Sequence, residues 1–207
     1  MPSRNTVREF SEDQYYHVYN RGVEKRPIFL DDQDYTVFLG LLKKYISGEN
    51  HNKNNRHQFT KLNGKIYLLS YCLAPNHFHL LFYQTDKVAI TQLMRRVSTG
   101  YVMYFNNRYN RVGGLFQGTY KAALIDKDDY LHHISRYIHL NPEKYLTWKY
   151  SSLPYYRGDK KAKWLNTDYI LGLFNDRSEY LNFVADYEAY KQELDLLKWQ
   201  LANGSEL

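Results

Sequence analysis

Two histidines one residue apart, His77 and His79, sit inside the otherwise apolar run CLAPNHFHLLFY. On an extended strand alternate residues share a face, so both imidazoles project the same way from Cα atoms roughly 6.5–7 Å apart. Two such rings can converge on one divalent ion, while Phe78 between them enters the opposite layer. The spacing fits a pair of hydrogen-bonded strand histidines equally well, so a metal site needs a third partner. The segment SRYIHLNP supplies a candidate. Tyr137 and Asn141 are four residues apart on a helical pattern and so share a face, about 5–6 Å apart at Cβ. There a phenol would sit beside an amide oxygen able to ligate metal. The competing reading is a packing stripe through Tyr130, Ile134, Tyr137 and Asn141.

The elements that must position these groups follow from periodicity and turn chemistry. QYYHVYNRG alternates aromatic and β-branched residues and stops at Gly22, as a strand does. DDQDYTVFLGLLKKYI opens with acids suited to a helix N-terminus and carries apolar residues at helical spacing. Ser47 to Gly64 is polar and Asn-rich and reads as a long loop or tip. KIYLLSYCLA and HFHLLFYQ are strands parted by Pro75 and Asn76. ITQLMRRVSTGYVMYFNNRYN is an amphipathic helix, TYKAALI a short strand, and DKDDYLHHISRYIHLNP a helix stopped by Pro142. The order β-α-β-β-α-β plus one helix is the α+β, ferredoxin-like split βαβ pattern: an antiparallel sheet with helices on one face and the histidines on the other. Residues 14–142 form the expected core domain. Residues 143–207, aromatic with basic insertions and then helical, form an extension packed on it.

Composition limits the partners. The chain has 207 residues, a net charge of +6 and 22 tyrosines against 10 phenylalanines. A basic protein favours a polyanion, and tyrosine suits surfaces that stack unpaired bases, although many tyrosines must also serve the core. From Gln92 to Lys121 the cations Arg95, Arg96, Arg108, Arg111 and Lys121 alternate with aromatic residues, and no carboxylate intervenes. Together with Asn20 and Arg21 they are the expected nucleic-acid contacts, with the Lys-rich DKKAK segment a further one. The helical histidines His132, His133 and His139 read as solvated. One cysteine excludes an intramolecular disulfide and a Cys-based zinc site. The charged N-terminus does not fit a signal peptide, and no apolar run approaches the roughly 20 residues needed to cross a bilayer. A soluble, cytoplasmic protein with no membrane partner is expected.

At YHVYNRG, APNHFHLL, GLFQGTYKAALI and YIHLNP the chain resembles the REP-associated tyrosine transposases, members of the HUH class of single-strand nucleases. The resemblance spans Tyr15 to Pro142 and extends loosely into WKYSSLPYY and WLNTDYILGLF. It implies His77 and His79 as metal ligands, Tyr137 as catalytic tyrosine and Asn141 as third ligand, with Mg²⁺ or Mn²⁺ as the ion. It also implies single-stranded or hairpin DNA as partner and cleavage through a 5′-phosphotyrosine, by a monomer or a homodimer. The alternative is a hairpin-binding module or repressor that has kept the fold without catalysis. A small-phosphoester hydrolase would account for the histidine pair and leave the basic aromatic stretch unexplained.

Overall fold

The structure is a computed structural model and describes residues 9–47, 62–125 and 128–186. Most of the Asn-rich loop and the last part of the extension, residues 187–207, lie outside the described residues. The elements run β1 (Gln14–Arg21), α1 (Asp32–Ser47), β2 (Ile66–Ala74), β3 (His77–Gln84), α2 (Ala89–Arg108), β4 (Lys121–Ile125) and α3 (Asp128–Leu140). Three short helices follow: α4 (Leu153–Arg157), α5 (Asp168–Leu171) and α6 (Arg177–Ala185). The sheet has the order β2-β3-β1-β4, and every neighbouring pair is antiparallel. This is the split βαβ arrangement that the element order implies.

Strand alternation sorts the side chains into two layers. Tyr16 and Val18 of β1 and Phe78, Leu80 and Phe82 of β3 enter one core. There they meet Phe38 and Leu42 of α1 and Leu93, Val97 and Tyr101 of α2. The opposite parity of β3, represented by Leu81, enters a second core built with Leu131, Ile134 and Ile138 of α3. A register shift in β2 between Leu68 and Ser70 changes its parity, so the first core takes the even-numbered Ile66 and Leu68 before it and the odd-numbered Tyr71 and Leu73 after it. One extra residue in a strand has this consequence because the side-chain period is two.

The face expected to be open is therefore covered by α3, and the extension packs on α3 in turn. Leu153, Tyr156, Ile170, Tyr180 and Val184 share the second core with Ile134 and Ile138. His139, expected on a solvated face, is fully buried instead. Its Nδ1 meets the Tyr180 hydroxyl and its Nε2 the Ser152 hydroxyl, each at 2.7 Å. Ser152 also accepts from the Tyr71 backbone N–H at 2.9 Å, so one imidazole ties α3 to α6 and, through Ser152, to β2. The helical pattern alone could not reveal this, because the covering layer is formed by residues 13 and 41 positions further along. Among the described residues no helix is long and apolar enough to cross a membrane.

Candidate functional site

Glycine shapes the rim of the site. At the end of β1 a Cβ on Gly22 would meet the Arg26 carbonyl oxygen at 2.1 Å, so only glycine allows the chain to fold back there. The Gly22 N–H then donates to the Asn76 carbonyl at 2.8 Å, joining the end of β1 to the β2–β3 turn that precedes His77. Residues Arg21 and His77 stand opposite each other in the sheet, as do Tyr19 and His79.

His77, His79, Tyr137 and Asn141 come together within one chain, at the α3 face of the sheet. His77 Nε2 lies 2.8 Å from the Asn141 side-chain oxygen. Its Nδ1 is 2.6 Å from the Asn76 side-chain oxygen, which orients the ring. The His77 and His79 rings are 5.1 Å apart at their centroids, and the Tyr137 ring stands edge-on to His79 at 5.3 Å. Asn141 follows the last residue of α3, one turn after Tyr137, which leaves its amide free to reach across to β3.

The donor set fits a divalent ion. Two cis ligands on an octahedral ion at about 2.1 Å are separated by about 3.0 Å, close to the 2.8 Å between His77 Nε2 and the Asn141 oxygen. Among the described residues no group of three His, Cys, Asp or Glu is arranged to hold a metal. Two imidazoles and an amide oxygen could hold such an ion, a set that would suit Mn²⁺ and be compatible with Mg²⁺. Burial disfavours the charged imidazolium at both histidines. It lowers the His77 pKa, with the Asn141 hydrogen bond opposing, and places that of His79 well below its ordinary value, with His17 and His77 adding to the shift. Both rings are neutral at physiological pH, the state that ligates metal. The Tyr137 hydroxyl is pushed up to about 12, first by burial and then by Tyr19, while a hydrogen bond with Asn141 acts in the opposite direction.

The histidines open onto a cavity of about 470 Å³ whose wall includes Tyr19, Asn20, Arg21, Lys25, Gln117 and Lys121. Three cations and no carboxylate line it, which suits a phosphodiester. Of the expected nucleic-acid contacts, Asn20, Arg21 and Lys121 belong to this wall. Arg21 Nε donates to the Gln117 side chain, and Asn20 donates to the Gly118 carbonyl at 3.2 Å. Arg95 is on the other side of Asn20, in a second cavity of about 420 Å³ with Thr91, Ser98 and Tyr120. Arg96 is half-buried and lies over the Tyr45 ring, and Arg111 lies over Phe105, both away from the histidines.

Arg108 has partners inside the protein. It pairs with Asp31 at 2.6 Å and with the fully buried Asp34 at 3.1 Å, and it donates to the Tyr104 hydroxyl at 2.6 Å. A guanidinium held by two carboxylates joins the N-terminal end of α1 to α2. The stretch from Gln92 to Lys121 has no acid of its own, but Asp31 and Asp34 arrive from 77 and 74 residues away. His133 likewise engages Arg136 at 3.0 Å and the Phe183 ring, on the α6 side of α3.

One residue of the site has no precedent in the sequence reading. His17 is fully buried on β1, and its Nε2 lies 2.8 Å from His79 Nδ1. Burial lowers its pKa to about 3, so the ring is neutral. The available signal was strand parity, since His17 shares a face with Tyr19 and Arg21. The order of the strands, which puts β1 beside β3, was what placed it against His79.

A solved structure described as a REP-associated tyrosine transposase bound to a REP hairpin aligns over 77% of this chain and 90% of that chain, with a TM-score of 0.51 and 13% identity. That degree of likeness establishes the fold. A putative transposase from Deinococcus radiodurans aligns over 67% of this chain and 95% of that chain, with a TM-score of 0.38 and 15% identity. No curated protein matches. The family model for IS200-like transposases matches residues 12–141, which run from just before β1 to Asn141 and contain the whole histidine, tyrosine and amide cluster. By that match over more than half its length, the chain belongs to the IS200-like transposase family.

Proposed function

We propose that this transposase-family protein cuts and rejoins single-stranded DNA at hairpin-forming repeats, using Tyr137 as the nucleophile. The observation that carries the reading is the meeting of Tyr137 with His77, His79 and Asn141 beside a cavity lined by cations. Residues 14–142 would form the catalytic unit and residues 143–207 an extension, of which Leu153, Tyr156, Ile170, Tyr180 and Val184 pack on α3. All four groups come from one chain, which supports assembly of the site in cis.

His77, His79 and Asn141 would hold the divalent ion, which when bound supplies charge to the non-bridging oxygens of the scissile phosphate. Arg21 and Lys121 would neutralise the flanking phosphates, and Tyr19 offers a half-buried ring against which a base can stack. Tyr137 holds its proton at the phenolic oxygen in the resting site. As that oxygen forms its bond to phosphorus, the Asn141 amide donates to the developing phenolate and the phenolic proton is released. The P–O3′ bond breaks as the P–O bond to Tyr137 forms; the phenolic proton passes to solvent, and the departing 3′ oxygen takes one proton from solvent and leaves as a hydroxyl. The linkage is conserved as a 5′-phosphotyrosine, so a 3′ hydroxyl can reverse the step without a nucleotide cofactor.

The test uses labelled single-stranded oligonucleotides carrying a hairpin, with Mn²⁺ and with Mg²⁺. A covalent adduct on a denaturing gel is expected for the native chain and not for Tyr137→Phe. Binding without any adduct supports the competing view of a DNA-hairpin-binding module or repressor on this fold.

A further inference from the structure

A metal-binding imidazole is oriented through the nitrogen that does not bind the metal. In this fold that nitrogen on His77 faces the Asn76 side chain, and on His79 it faces a third histidine. We propose that His17 is the positioning residue for His79: His17 Nε2 accepts the proton on His79 Nδ1, which leaves the lone pair of His79 Nε2 turned to the cavity. The inference rests on the reading of His77, His79 and Asn141 as the metal-binding set.

Only one proton can lie between two nitrogens 2.8 Å apart. With the proton on His17, neutral His79 would carry its hydrogen on Nε2 and could not ligate. With the proton on His79 Nδ1, Nε2 is available, and His17 in turn is the Nδ1–H tautomer. The two ring planes are 16° apart with centroids at 5.0 Å, and Tyr19 stacks on both rings, so neither imidazole can turn freely. His17 reaches His79 along the sheet diagonal, because Tyr19 is the residue directly opposite His79.

A packing role alone does not account for this histidine. Its Nδ1 is buried and has no hydrogen-bond partner among the described residues, a defect that leucine or phenylalanine would avoid. A role as an additional ligand is also disfavoured, since its Nε2 is spent on the His79 ring and no three-histidine metal cluster forms among the described residues. As an acceptor to His79, a neutral ring orients the ligand without placing another charge in the core.

The test compares full-length His17→Leu, His17→Gln, His79→Ala and native protein by titration with Mn²⁺ in the absence of DNA. Free Mn²⁺ is read by electron paramagnetic resonance, and thermal unfolding verifies that each variant is folded. His17→Leu is expected to weaken Mn²⁺ binding about ten- to a hundredfold. His17→Gln, whose amide oxygen can accept the same proton, is expected to stay within about threefold of native. Native affinity in His17→Leu together with loss in His79→Ala would overturn the role of His17 and leave the metal site standing. Native affinity in both would overturn the metal reading and this inference with it. If His17→Leu fails to fold, ¹⁵N NMR of the imidazoles in Zn²⁺-loaded native protein decides. A hydrogen on His79 Nδ1 is expected, and one on Nε2 refutes the proposal.

Discussion

Asp34→Ala should destabilise the protein far more than an average carboxylate substitution. Asp34 is fully buried in the first turn of α1. Its carboxylate accepts from the Leu30 N–H at 2.8 Å and from the Tyr104 and Tyr109 hydroxyls at 2.9 Å each, as well as from Arg108. Tyr104 and Tyr109 are half-buried, so after truncation their hydroxyls can recover part of their hydrogen bonding from water. Counting about 1 kcal/mol for each of the three bonds from Leu30, Tyr104 and Tyr109, leaving aside Arg108, which keeps Asp31, and a similar amount for the cavity left at a fully buried position, gives about 3–4 kcal/mol. With a urea m-value of about 2–3 kcal/mol per molar, that moves the unfolding midpoint down by roughly 1–2 M. Equilibrium urea unfolding followed by tyrosine and tryptophan fluorescence measures it directly. A midpoint within about 0.3 M of native would refute the view that this carboxylate holds α1 and α2 together. It would also reopen Arg108 as a DNA contact.

The remaining predictions concern DNA, protons and metal. In single-strand binding measured against salt, Arg21→Ala and Lys121→Ala should each reduce the slope of log K against log salt by about 0.7, whereas Arg108→Ala should leave it unchanged; an equal loss in Arg108→Ala would reinstate it as a phosphate contact. Because burial holds the Tyr137 hydroxyl near 12, the single-turnover rate of adduct formation should climb up to about tenfold per pH unit between about pH 7 and 9, and a flat profile would mean that another group limits the step. His17 and His139 have folded-state pKa values near 3, below the ordinary value of 6.5, so the unfolded chain binds their protons first as pH falls. Their contribution to stability is complete above about pH 6.5 and is lost on acidification toward pH 3, at about 1.4 kcal/mol per pH unit for each residue; denaturant unfolding at pH 7.5 and 5.5 measures it, and equal stability at both would contradict neutral burial. Chelation of divalent ions should abolish the adduct while leaving hairpin binding in a mobility-shift assay.

The local chemistry of this chain determined much about it in advance. Alternation in YHVYNRG and HFHLLFYQ and helical spacing before Pro142 define strands and helix without reference to the rest of the fold, because side-chain period follows from backbone geometry alone. That alternation put His77 and His79 on one face, and the four-residue spacing put Tyr137 beside Asn141. Only the tertiary structure brought the two pairs together, since the approach of α3 to β3 depends on a second core completed by Tyr156, Ile170 and Tyr180. The same limit explains Arg108, His139 and His17. Each has a side chain whose role is set by a partner distant in sequence: Asp31 and Asp34 for the first, Tyr180 and Ser152 for the second, His79 for the third. Periodicity states which way a residue points, and the packing of distant segments decides what it meets there.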